Sequence, residues 1–101
     1  QSTGRIVVGG SAITDTGVFV LARYLSNGTL DTTFGTSGIA TAHVLSAASL
    51  NDITIQPADD KIVAVGFATD GITSYFALVR FNADGSLDTG FGTSGVTTTL
   101  I

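Results

Sequence analysis

The chain has 101 residues, 44% of them apolar and only 12% charged, with four basic against eight acidic side chains and a net charge of -4. Such a length holds one small domain, and an acidic balance without any Lys/Arg cluster argues against nucleic acid as a partner. With no cysteine there is neither a disulfide framework nor a thiolate metal site, and the longest apolar run, VFVLA at 18–22, is far short of the roughly 20 residues of a membrane-crossing helix, so no membrane insertion is expected.

In chain order, seven segments read as strands: RIVVGG (5–10), VFVLARYL (18–25), GIATAHVL (38–45), NDITIQ (51–56), KIVAVGFA (61–68), SYFALVRF (74–81) and GVTTTLI (95–101). Each is a run of β-branched and aromatic residues, and turn signals at Asn27-Gly28, Asp59-Asp60, Asp70-Gly71 and Asp84-Gly85 punctuate them. No window carries a helical stripe of useful length. Two strands are apolar on both faces, with Phe19 and Leu21 against Val20 and Ala22, and Phe76 and Leu78 against Ala77 and Val79. A strand buried on both faces needs covering layers, and without helices these must be other sheets. The expected fold is therefore all-β, with small antiparallel sheets stacked as blades of the β-propeller type.

The chain repeats itself. Residues 19–44 laid over 76–101 give 13 identities in 26 positions without a gap, and RIVVGGSA (5–12) matches KIVAVGFA (61–68) upstream. The displacement is 56 upstream and 57 downstream, which predicts one extra residue in the second copy, in the turn near Gly71. Residues 1–101 are thus a single module, with repeat one at about 5–49 and repeat two at about 50–101. The second repeat has four strands and the first only three, since nothing precedes RIVVGG to match NDITIQ.

The segment PADDKIVAVGFATDGITSYFALVRFNADGSLDTGFGTSGVTT (57–98) resembles the delta-60 repeat, a propeller-forming repeat of bacterial secreted and surface proteins. The resemblance spans nearly the whole chain and departs at Asp60, where the pattern has Gly before Lys61, a change that bears on turn geometry. It implies a propeller fold and a secreted or cell-surface location, and it brings no activity with it.

Several motifs invite chemistry. Gly90, Gly92 and Gly95 form a Gly-x-Gly-x-x-Gly string, but a dinucleotide loop needs a helix after it, and here the strand GVTTTLI follows. The row Asn82, Asp84, Ser86, Asp88 resembles the start of a calcium loop; the first copy has Leu25, Asn27, Thr29 and Asp31, and no glutamate closes either loop, so Asx-type turns are expected instead. Asn27-Gly28-Thr29 has the form of a glycosylation acceptor within a tight hairpin. His43 is the only histidine, aligned with Leu100, and reads as a strand-surface residue rather than a general base.

Arg23 and Arg80 interrupt apolar strands at equivalent positions, each eight residues before an aspartate, Asp31 and Asp88. A guanidinium on an apolar face is costly unless paired, so the expected structural residues are the pairs Arg23–Asp31 and Arg80–Asp88. To these are added the repeated loop pairs Phe34-Gly35 and Phe91-Gly92, whose rings are expected to plug the core. No catalytic, cofactor-binding or metal-binding residue is expected. The functional reading is a non-enzymatic structural or interaction module whose partners are copies of itself or adjacent repeats of a longer parent chain. The alternative is a carbohydrate-binding propeller with a surface glycan as partner. Beginning at Gln1 with no Met or signal-type segment, the sequence reads as a processed protein or a piece of a longer one. Seven strands cannot close a propeller ring, so head-to-tail self-association into a ring or an open fibre is expected.

Overall fold

A computed structural model describes residues 4–13 and 17–101. The described residues form seven strands and no helix: β1 (Ile6–Ile13), β2 (Gly17–Tyr24), β3 (Ile39–His43), β4 (Ala47–Ile55), β5 (Ile62–Thr69), β6 (Ser74–Phe81) and β7 (Val96–Leu100). They make two antiparallel meanders, β1-β2-β3 and β4-β5-β6-β7, so the three-plus-four division expected from the repeat is present. The strand ends leave three residues, 14–16, in the first long hairpin and four, 70–73, in the second. Residues 14–16, the first-copy side of the expected one-residue difference, lie outside the described residues.

Two boundaries differ from the sequence expectation by more than two residues. β1 runs on to Ile13, because antiparallel pairing with β2 continues from Ile6↔Tyr24 to Ile13↔Gly17. β4 starts at Ala47 rather than Asn51: Ala47 and Ala48 pair with Thr69 and Ala68, and the register then shifts between Leu50 and Asp52. Asn51 is thus the extra residue of a β-bulge. Side chains alternate with a period of two, so a strand with the pattern Ala48, Leu50, Ile53, Ile55 can keep all four on one face only if a bulge absorbs one residue between Leu50 and Ile53.

The same period assigns two faces to each sheet. In the first, Phe19, Leu21 and Arg23 share a face with Ala40 and Ala42 of β3, their paired neighbours or next-but-one in register. In the second, Ile62, Ala64 and Ala68 share a face with Phe81, Val79 and Ala77. These two faces meet. Phe19, Leu21, Phe34, Ala40, Ala42 and Val44 from the first blade and Ile62, Ala64, Ala68, Ala77, Val79 and Phe81 from the second form one buried cluster, edged by Leu50, Ile53 and Val96. Aromatic and large aliphatic side chains from one blade fill the space left by alanines on the next, the size alternation that close packing requires.

Because the blades repeat, each face has a counterpart at the other end of the stack. The counterpart of buried Phe19, 0% exposed, is Phe76 at 52%; that of Ile62, also 0%, is Ile6 at 51%. The blade pair therefore carries an open arginine-bearing face on the second blade, with Phe67 and Phe76 in ring contact at 5.8 Å, and an open aliphatic face on the first, with Ile6, Val8 and Ile39.

Candidate functional site

The most organised polar cluster in the chain follows β2 and recurs after β6. Arg23 lies one residue before the end of β2. The chain turns through Asn27-Gly28, Leu30 bridges back to Tyr24, and the Asp31 N–H donates to the Arg23 carbonyl at 2.8 Å. An eight-residue spacing thus becomes side-by-side placement, and Arg23 Nε donates to Asp31 Oδ2 at 2.9 Å. The next turn swings Phe34 beneath the guanidinium, 4.7 Å from Cζ to the ring centroid, so the cation is held between a carboxylate and an aromatic face.

The second copy repeats this arrangement. Arg80 Nε donates to Asp88 Oδ2 at 2.8 Å, and its guanidinium lies 4.7 Å from the Phe91 centroid. The structure therefore brings together six of the eight residues singled out in the sequence as two Arg-Asp-Phe sets. Gly35 and Gly92 follow with positive φ of 56° and 55°, where a side chain would be strained. Phe34 is fully buried in the core, whereas Phe91 is only half-buried.

A second cation in each set was not anticipated. Arg5 Nε lies 3.1 Å from Asp31 Oδ2, and Lys61 Nζ 2.9 Å from Asp88 Oδ2. Arg5 and Lys61 are equivalent residues at the start of RIVVGGSA and KIVAVGFA, so the repeat already carried the signal as a basic residue kept in both copies. The Thr33 hydroxyl and N–H, with Arg23, hold the Asp31 carboxyl below its ordinary value of 3.8. Lys61, then Arg80 and the Gly90 N–H, do the same for Asp88. Both groups are thereby committed to the carboxylate form, which suits ion pairing and is the opposite of what a general acid needs.

One arginine also joins the blades. Arg23 Nη1 donates to the Ala83 carbonyl at 2.8 Å, 60 residues away, and the Gly35 N–H donates to the Asp84 carbonyl at 2.7 Å. The turn 82–86 of the second blade thus sits on the Phe34-Gly35 turn of the first. Contact is close enough that a Cβ on Gly85 would stand 2.6 Å from the Gly35 nitrogen, whereas one on its counterpart Gly28 would meet nothing within 4 Å. Covering by the next blade accounts for the asymmetry of the two sets: the Arg23 side chain is 7% exposed and that of Arg80 26%.

The other sequence candidates resolve into turns. After Gly92 and Gly95 the chain enters β7 rather than a helix. In the Asn82-to-Asp88 row the oxygens have different partners: Asp84 Oδ1 accepts from the Ser86 hydroxyl at 2.6 Å and N–H at 2.9 Å, while Asp88 faces Arg80 and Lys61. Asn27 Oδ1 likewise accepts from the Thr29 hydroxyl at 2.8 Å. Asp60 takes the left-handed conformation, φ 57°, at the position where the resembling pattern has Gly. His43 is exposed at the end of β3 and borders a cleft of about 710 Å³ between the outer strands of the two blades, with Thr41, Thr93, Ser94 and Thr97 among its lining. Among the described residues, no group of three or more His, Cys, Asp or Glu side chains could hold a metal ion, and no helix is long and apolar enough to cross a membrane.

The family described as a domain of unknown function (DUF5122) beta-propeller matches residues 1–34 and 58–91, the same part of each copy displaced by 57 positions. The chain belongs to this family. No curated protein and no solved structure matches it. Each matched segment of this DUF5122 chain ends on the phenylalanine of its set, Phe34 or Phe91, so the matched unit contains the whole Arg-Asp-Phe constellation.

Proposed function

We propose that this chain is a non-enzymatic structural or interaction module of a secreted or cell-surface bacterial protein, its blades stacking with neighbouring repeats or with identical chains. The observation that carries the reading is the pair of unlike apolar faces at the two ends of the blade pair. Monomeric proteins rarely expose contiguous apolar surface of this kind unless something covers it. The polar clusters support the same reading: both Arg-Asp-Phe sets fasten loops to strands, and one of them fastens blade to blade. The resemblance of the repeat to the delta-60 pattern supports the location outside the cell.

Carbohydrate binding is the second reading, and what favours it is the cleft beside His43, whose mainly apolar wall also carries Thr41, Thr93, Ser94 and Thr97. Sugar sites generally add an exposed aromatic platform, and the repeated loop rings here are occupied, Phe34 in the core and Phe91 under Arg80. Sedimentation of the purified chain over a micromolar concentration series, alongside a glycan array, tests the two together. Concentration-dependent association without glycan binding is the expected result; a monomer that retains a glycan would favour the lectin.

A further inference from the structure

Resting on the assembly reading above, we propose that the open arginine face of the second blade is the docking site for the first blade of a second copy of this chain, joined head to tail by the contact that already joins the two blades within one chain. The internal junction is a template for the external one in all but β4, whose Leu50 and Ile53 edge the internal core and which has no counterpart in the first blade. Phe19 and Leu21 share one buried cluster with Ile62, Ala64, Ala77 and Val79, edged by Leu50 and Ile53 of β4. At the open ends, Phe76 and Leu78 stand where Phe19 and Leu21 do, and Ile6, Val8, Val20 and Ala22 stand where the four aliphatic residues do. The faces are unlike each other, so neither is built to pair with itself. They are complementary to each other by the rule the chain already obeys, which makes the contact heterologous and lets it propagate until a ring closes.

The polar pairing transfers residue by residue. In the internal junction Arg23 bonds the Ala83 carbonyl and the Gly35 N–H bonds the Asp84 carbonyl. Between copies, Arg80 would bond the Ser26 carbonyl of the second copy and the Gly92 N–H its Asn27 carbonyl. Gly28, open to solvent in one chain, would take the close approach that Gly85 makes. Among the described residues neither the Arg80 terminal nitrogens nor the Gly92 N–H has a backbone carbonyl partner, so both donors are available to that turn. The turn 25–29 already has the required shape: Leu25 N–H bonds the Thr29 carbonyl as Asn82 N–H bonds that of Ser86, and Gly28 and Gly85 share φ values of 91° and 90°.

Two variants block opposite ends: Phe76→Lys places a charge on the open arginine face, and Val8→Lys on the open aliphatic face. Both positions are half exposed in the single chain, at 52% and 46%, so neither should disturb its fold. By sedimentation velocity the unmodified chain is expected to form oligomers, each variant alone to remain a monomer near 10.2 kDa, and an equimolar mixture to form a dimer and nothing larger, since only one junction can then be made. Amide exchange gives a readout without any variant: the Gly35 N–H is expected to be protected at every concentration and the Gly92 N–H only at concentrations where the chain associates. A chain that stays monomeric with an unprotected Gly92 and binds no glycan overturns the second-copy proposal alone. If it stays monomeric and binds glycan, the assembly reading falls with it. Association that survives either single variant, or a mixture that fails to pair, overturns the head-to-tail geometry while leaving an assembly module.

Discussion

Arg23 holds the Ala83 carbonyl at 2.8 Å across 60 residues of sequence while its Nε is paired with Asp31 at 2.9 Å, so a single guanidinium closes a loop within one blade and fastens the next. Its counterpart Arg80 performs only the first task. Arg23→Ala is therefore expected to cost about 3 kcal/mol, the scale for stranding one partner of a buried pair, and Arg80→Ala nearer 1 kcal/mol, the scale for a partly exposed one. Urea denaturation of dilute protein measures both. Equal losses would show that the cross-blade bond contributes nothing.

Phe34 and Phe91 occupy equivalent loops in unequal surroundings. Phe34→Ala opens a cavity in the shared core and is expected to lose about 3 to 5 kcal/mol, whereas Phe91→Ala, at a ring covered on one side only, should lose less than half as much. Thermal melts at a concentration below association check this. Similar melting temperatures would mean that the first-blade ring is not in a core at all.

Acid should destabilise the fold through the two repeated aspartates. Both have proton affinities lowered below the ordinary value of 3.8, so the unfolded chain binds protons more readily than the folded one. The stabilisation is complete above that value and is lost as pH falls through the lower folded values. Thermal stability is expected to be flat from about pH 7 to 5 and to fall below about pH 4. The double variant Asp31→Asn, Asp88→Asn should be weaker at neutral pH and show a shallower acid decline; an unchanged acid profile would contradict the assignment.

Much of this was legible beforehand because the determinants are local or repeated. Strands, turns and stacked sheets follow from β-branched runs and Asn-Gly or Asp-Gly pairs, and Arg23 and Asp31 lie within one hairpin, so eight residues of spacing suffices to juxtapose them. What escaped depends on distant chain. The second cations, Arg5 and Lys61, reach their aspartates from the start of the neighbouring strand, well upstream in the sequence, and the bond to Ala83 uses a carbonyl, which every residue has and no composition reveals. Nor could the sequence show that one Phe-Gly turn is covered and its twin open, since that depends on which blade follows.

The bulge at Asn51 is a further test of register. Deleting Asn51 would remove the bulge and leave Leu50, Ile53 and Ile55 on the core face by simple alternation, with Asp52 and Thr54 on the other. The deletion is therefore expected to keep cooperative unfolding, as followed by circular dichroism on heating. Loss of the sharp melt would place the pairing of β4 and β5 elsewhere.

The docking of one blade's turn on the preceding blade is the claim on which the rest depends, and two glycines isolate it. Gly28 and Gly85 have the same positive-φ backbone, φ 91° and 90°, so an alanine at either carries a similar conformational cost, of order 1 kcal/mol. Only at Gly85 does the added Cβ meet the neighbouring blade, 2.6 Å from the Gly35 nitrogen. Equilibrium unfolding of Gly28→Ala and Gly85→Ala in dilute solution is the direct measurement. A loss at Gly85 exceeding that at Gly28 by about 1 to 3 kcal/mol, the usual scale of overpacking, is predicted; equal losses at the two positions would contradict the blade junction.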